Sequence, residues 1–167
     1  SFKWNPAVKT PKDRQGLWEA LLDDRIDVLA TDHAPHTLEE KNNNYLNAPS
    51  GGPLVQHAVL AILEKVKEGV IPLEKAVEKM SHNPAILFQI EKRGFVKEGF
   101  FADLVLIDPN QAQTVSKESL LYKCGWSPFE GTTFSSTITH TFVNGNIIYQ
   151  NGIFNDKIKG KRITFNR

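Results

Sequence analysis

Asp32, His33 and His36 fall within one short stretch, Ala30-Thr31-Asp32-His33-Ala34-Pro35-His36, which follows the apolar run Ile26-Asp27-Val28-Leu29-Ala30. A carboxylate here can ligate a divalent metal, or take a proton from a metal-bound water and hand it to a leaving group. An Asp after a strand is equally at home as a cap or an Asx turn. His33 and His36 are spaced like half a zinc site. The chain has no cysteine cluster or further histidine cluster to complete one, and no His-x-His. His36 is therefore open to three roles: ligand, substrate donor or surface histidine. Asn5 sits in Asn5-Pro6, a turn dipeptide, and its amide offers both a donor and an acceptor. Gly51, without a Cβ, lets its main chain approach a ligand closely, though a plain turn glycine explains it almost as well. His57, His82 and His140 read as structural. Cys124, the one cysteine, reads as an ordinary thiol.

The elements around these residues predict how they are positioned. Pro11 to Asp24 reads as a helix, with Leu17, Trp18, Leu21 and Leu22 at helical spacing. Ile26 to Thr31 reads as a buried strand, so helix, short turn and strand form one unit of a parallel sheet. A long polar loop from Thr37 to Gly52 follows, with Asn42-Asn43-Asn44 in its middle. Pro53 is placed to start a helix whose apolar stripe runs through Leu54, Ala58, Ala61, Ile62 and Val66 to a stop at Gly69. Pro72 to Met80 and Pro84 to Phe88 read as two more helices. After Arg93-Gly94 the texture changes to strands. Leu104 to Ile107 is one strand. Thr137 to Phe142 and Ile147 to Gln150 form a hairpin through Asn144-Gly145. Ser116 to Cys124 reads as a short helix. In (β/α)8 barrels chemistry sits at the carboxyl ends of the strands, which is where Asp32 falls.

Thr31-Asp32-His33-Ala34-Pro35-His36 with Glu39-Glu40-Lys41 resembles the signature after the eighth barrel strand of dihydroorotases, in the amidohydrolase superfamily. Lys3-Trp4-Asn5-Pro6-Ala7-Val8-Lys9 resembles a second signature of that family, with departures at Ala7 and Lys9. Ala48-Pro49-Ser50-Gly51 is similar to its substrate loop, departing at Ser50. Ala102 to Asp108 and Val143-Asn144-Gly145 resemble the superfamily's small β domain. The fold class implied is α/β: the C-terminal part of a (β/α)8 metal-dependent hydrolase barrel over residues 1–92, then strands of a small β-sandwich domain over 93–167. The resemblance implies that Asp32 contacts one metal of a binuclear zinc centre and is the catalytic acid/base. It implies that Asn5, His36 and Gly51 bind substrate, with the other zinc ligands outside this chain.

At 167 residues the chain is shorter than the roughly 250 residues of such a barrel. Met80 is its only methionine, and the reading is of the C-terminal portion of a longer polypeptide whose N-terminal half is the first partner. A hydrophobic content of 40% and a charged content of 23% are those of a globular protein. A net charge of +1 gives no reason to invoke nucleic acid or an anionic membrane surface, and no apolar run approaches a membrane span. One cysteine fits a reducing, cytoplasmic setting. The activity implied is the interconversion of N-carbamoyl-L-aspartate and L-dihydroorotate in pyrimidine biosynthesis, with this chain inactive alone and a homodimer left open. The rivals are a hydantoinase- or allantoinase-type cyclic amide hydrolase and an inactive barrel kept as a scaffold. The Thr37–Gly52 loop is expected to be a mobile lid.

Overall fold

The structure is a computed structural model and describes residues 3–166. Helix α1 spans Pro11–Leu22. Thr10 starts it with a reciprocal cap: its hydroxyl accepts from the Asp13 amide at 3.3 Å and its own amide donates to the Asp13 carboxylate at 2.9 Å. Pro11 stands in the first turn, where its missing N–H costs nothing. Leu21 faces inward and meets Ile71 and Ala76, with Trp18, Ile26, Leu29, Ile62 and Val66 packed around them.

The chain from Ile26 to Thr31 departs from the sequence expectation. It forms no strand, because among the described residues no neighbour pairs with it. A parallel strand exists through its ladder, and the hydrogen-bonding that survives here is of another kind. The Leu29 amide donates to the Lys79 carbonyl at 3.0 Å. The fully buried Lys79 ammonium sits 2.8 Å from the Asp24 carboxylate and 2.6 Å from the Ile26 carbonyl. Lys79 stands in a π-helical turn, Glu78–His82, between α4 (Leu73–Val77) and α5 (Asn83–Leu87). The expected pair of helices is thus one continuous helical run carrying a π turn, the form that inserting one extra residue takes. The short helix α2 spans Leu38–Lys41. Helix α3 spans Ala58–Lys67 and starts five residues after Pro53. The delay has a local cause: the Leu54 and Val55 amides donate to His33 Nδ1 at 3.0 and 3.3 Å, which holds Leu54–His57 as a turn.

The remainder is mainly β. Strands β1 (Leu104–Asp108), β4 (Thr137–Val143), β5 (Asn146–Gln150) and β6 (Ile153–Phe154) form an antiparallel sheet in the order β1-β4-β5-β6. Strands β2 (Gln113–Thr114) and β3 (Thr133–Phe134) form a separate pair. The β4–β5 turn has Asn144 at φ 51° and Gly145 at φ 82°, the two positive angles a tight hairpin needs. Arg93 anchors this turn, pairing with the Asp103 carboxylate and donating to Asn144 Oδ1 at 2.8 Å. The expected helix over Ser116–Cys124 shrinks to one 3-10 turn, Lys117–Ser119, closed by the Ser119 hydroxyl, which accepts from the Ser116 amide at 3.1 Å and donates to the Ser116 carbonyl at 2.8 Å.

A second core joins α3 to the later strands: Leu60, Val115 and Phe134 are buried together against Ala61, Leu120, Phe129 and Ile138. Glu64 adds a polar tie, accepting from the Ser135 amide at 2.6 Å and its hydroxyl at 2.8 Å. Several large apolar side chains stay exposed, among them Leu17, Leu87, Val105 and Leu106. No helix among the described residues is long and apolar enough to cross a membrane.

Candidate functional site

Three stretches far apart in sequence meet beside Gly51. The Gly51 amide donates to the Lys3 carbonyl at 2.9 Å, and the Ala34 amide donates to the Gly52 carbonyl at 3.0 Å. Lys41, at the end of α2, closes the junction from below. Its ammonium donates to the carbonyls of Gly51 at 2.8 Å, Pro49 at 2.9 Å and Lys3 at 3.3 Å. Three N–H donors thus meet three acceptors, which is how a cation only 8% exposed avoids an unmade hydrogen bond. Burial pushes the Lys41 ammonium below the ordinary lysine range, with the nearby Lys3 charge adding to it.

Gly51 is glycine for two reasons. Its φ is +91°, and a Cβ there would lie 2.6 Å from the Ala34 Cβ. A Cβ on the neighbouring Gly52 would meet the Trp4 and Trp126 rings at 3.3 Å. Trp126 also reaches the motif directly, its indole N–H donating to the His36 carbonyl at 2.8 Å.

Asp32 takes φ 46°, a left-handed conformation that Asp tolerates better than most residues. Its exposed carboxylate has no hydrogen-bond partner among the described residues, so it caps nothing. His36 Nδ1 lies 3.7 Å from Glu40 Oε2, and its side chain is 38% exposed. Glu40 is itself held by Thr37: its carboxylate accepts from the Thr37 amide at 2.7 Å, which keeps its pKa below the usual carboxylate range. His33 does structural work. Its Nδ1 accepts from the Leu54 and Val55 amides, and its ring packs with its centroid 5.4 Å from that of Tyr122. Asn5 is exposed, two residues from the pinned Lys3 carbonyl, and its amide has no partner among the described residues.

Sequence reasoning missed the structural use of two residues. Lys41 closes the Glu39-Glu40-Lys41 part of the motif, but nothing local signals a buried ammonium. Trp126 is ninety residues from His36. The Thr37–Gly52 stretch is also more built than a free lid. Thr37 caps α2 reciprocally with Glu40, Lys41 fixes the far end, and Lys3 Nζ donates to the Tyr45 carbonyl at 2.8 Å.

Among the described residues no group of three or more His, Cys, Asp or Glu side chains could hold a metal. The described residues therefore do not by themselves fit a binuclear centre; what the motif offers is the Asp32 carboxylate. A cavity of about 450 Å³ lies elsewhere, between α3 and the strands, lined by His57, Leu60, Val115, Ile138 and Tyr149. Neither Asp32, Asn5, His36 nor Gly51 contributes to it.

The amidohydrolase family model matches residues 7–148. The chain belongs to the amidohydrolase family. It is 39% identical over 149 residues to a dihydroorotase of Clostridium acetobutylicum, covering 89% of this chain and 35% of that protein. With a dihydroorotase of Endomicrobium trichonymphae it shares 41% identity over 149 residues, again 89% of this chain and 35% of the relative. Among solved structures, an L-hydantoinase (dihydropyrimidinase) from Arthrobacter aurescens superposes with a TM-score of 0.83 at 28% identity, covering 91% of this chain and 35% of that one. The chain spans about a third of the length of the curated relatives it matches. Its fold class is that of the C-terminal part of a (β/α)8 hydrolase barrel running into a small β domain.

Proposed function

We propose that this chain is the portion of a dihydroorotase that carries the proton-shuttling carboxylate and one wall of the substrate site. The reaction is the reversible interconversion of N-carbamoyl-L-aspartate and L-dihydroorotate, in de novo pyrimidine biosynthesis in the cytoplasm. The observation that carries this reading is the convergence of the Lys3–Asn5, Asp32–His36 and Gly51 segments, with the Asp32 carboxylate left unpaired. The dihydroorotase relatives favour this substrate over other cyclic amides.

In this reading Asp32 takes up a proton and delivers it to the departing ring nitrogen, general acid/base work that an unpaired, exposed carboxylate is free to do. His36 donates to the substrate carboxylate. The Asn5 amide faces the ring edge with its donor and acceptor, and the Gly51 main chain, without a Cβ, lies against the ring. Asp32 would also be one ligand of a zinc centre whose other ligands would come from outside these 167 residues, and such a centre would lower the pKa of a bound water. Residues 1–92 act as the barrel end and 93–167 as the β domain. Exposed Val105 and Leu106 on β1 suit a chain whose remaining polypeptide covers them.

The hydantoinase-type alternative draws on the solved neighbour of that name. The deciding experiment gives the complete protein dihydroorotate, hydantoin and dihydrouracil in turn. Preferential turnover of dihydroorotate is expected, and preference for either neutral ring overturns the assignment. The isolated 167-residue chain with added zinc is expected to be inactive.

A further inference from the structure

We infer that Lys41 is a positioning residue for substrate: its buried ammonium locks the Lys3, Pro49 and Gly51 carbonyls together and so sets where Asn5 and Gly51 stand. This rests on the proposed function for the identity of the substrate, though the lock itself does not. Four observations support it.

The ammonium spends all three donors on main-chain carbonyls of two separate segments, at 2.8, 2.9 and 3.3 Å. No carboxylate pairs with it among the described residues, so its role is geometric rather than that of an ion pair. A desolvated cation without a counter-charge is costly, and the carbonyl dipoles are what compensates. The segments it joins carry the Asn5 and Gly51 groups, and the Gly51-amide-to-Lys3-carbonyl bond at 2.9 Å lies between two of its acceptors. The capping box at Thr37–Glu40 fixes the base of α2 from which the Lys41 side chain projects.

An anchor of this kind acts before chemistry. It holds the rim in the shape the ring meets, and its loss weakens ground-state binding more than the chemical step. Lys41→Met keeps the aliphatic stem and removes the three donors. Lys41→Arg keeps the charge but replaces three radiating donors by a planar fork that cannot meet the same three carbonyls.

The test uses the complete protein with two independent readouts. Amide hydrogen exchange at Gly51, in the absence of any ligand, is expected to accelerate at least tenfold in Lys41→Met, with exchange in α1 and α3 unchanged. Steady-state kinetics are expected to give a KM for dihydroorotate raised at least tenfold in Lys41→Met and in Lys41→Arg, with kcat within threefold of wild type. Unchanged Gly51 exchange overturns the lock. Accelerated exchange with unaltered KM, or a kcat loss at constant KM, overturns the positioning role. Global exchange acceleration reduces Lys41 to a fold-stabilising residue and overturns it too. A wild-type protein that does not turn over dihydroorotate overturns the functional reading and the substrate half of this inference, while Gly51 exchange still decides the lock.

Discussion

A Cβ added to Gly51 would stand 2.6 Å from the Cβ of Ala34, closer than two carbons tolerate, on a backbone already at φ +91°. Gly51→Ala therefore combines a clash with a left-handed angle that alanine resists. Strained angles of this kind cost on the order of 1–3 kcal/mol. The expected outcome in the complete protein is a displaced rim: a raised KM for dihydroorotate and a lower thermal midpoint. Ala34→Gly added to Gly51→Ala removes the clash and leaves the strain, so it should recover part of both losses. Full recovery, read by the double-mutant cycle, would assign the whole effect to the clash.

The second prediction separates His33 from catalysis. His33 Nδ1 accepts from the Leu54 and Val55 amides, so His33→Phe leaves two main-chain donors without a partner. The Leu54 amide is part-buried and the Val55 amide exposed, so the loss is expected at or below the low end of the about 1–3 kcal/mol that a fully buried unmade donor costs. His33→Asn should recover much of that stability, because its side-chain oxygen can accept from the same amides. Denaturant unfolding of both variants checks the order, and kcat in His33→Asn should stay near wild type.

Much of this arrangement was legible in the sequence wherever the deciding interaction is local. Pro11 and the Leu17–Leu22 spacing gave α1, and Asn144-Gly145 gave the β4–β5 hairpin, because caps and turns are settled within a few residues. Ile26–Thr31 reads as a strand from its apolar run, yet a strand needs a ladder partner, which composition does not reveal. Ser116–Cys124 reads as helical, but the Ser119 hydroxyl accepts from the Ser116 amide and donates to the Ser116 carbonyl, which ends the turn at once. At the site, motif residues Asp32, His36, Asn5 and Gly51 were visible as types. What joins their segments was not. The Lys41 lock and the Trp126 contact depend on distance in space, and no spacing rule encodes them.

A third prediction concerns pH. His57 is 3% exposed among the Tyr122, Phe129 and Phe134 rings, and its Nδ1 has no partner among the described residues. Burial pushes its pKa below the ordinary value of 6.5. The unfolded chain therefore binds a proton before the folded one does. Stability from this group is fully present above 6.5 and is lost as pH falls below that value toward the folded pKa. His57→Phe removes the titrating group while keeping an aromatic ring in place. The stability difference between variant and wild type should shift in favour of the variant as pH drops from 7 to 5. A difference that stays flat across that window would mean His57 is not the group responsible.

Asp24 supplies a more acidic signature. Hydrogen bonds from Lys75 and then Lys79 lower its pKa from 3.8 to about 2. Its folded value lies below its unfolded one, so its contribution is present above pH 3.8 and disappears as pH falls toward 2. Asp24→Asn should cost stability at pH 7 and leave the buried Lys79 ammonium with the Ile26 carbonyl as its remaining partner. The cost should shrink to little in acid-unfolding curves taken near pH 2.

The proton carrier is the sharpest case. Asp32 is exposed, sits at φ 46° and makes no hydrogen bond among the described residues, so little of the fold depends on its charge. Asp32→Asn keeps its size and its tolerance of the left-handed angle while removing the group that accepts a proton. Loss of a general acid/base by itself typically lowers rate by about 10²–10⁴. In the complete protein, kcat should fall at least that far while the thermal midpoint stays within a degree or two. His36→Ala should behave differently, raising KM more than it lowers kcat, because a donor to the substrate carboxylate acts in the ground state as well. Wild-type kcat in a folded Asp32→Asn protein would remove Asp32 from the mechanism. A kcat defect at constant KM in His36→Ala would move His36 from binding to the transition state.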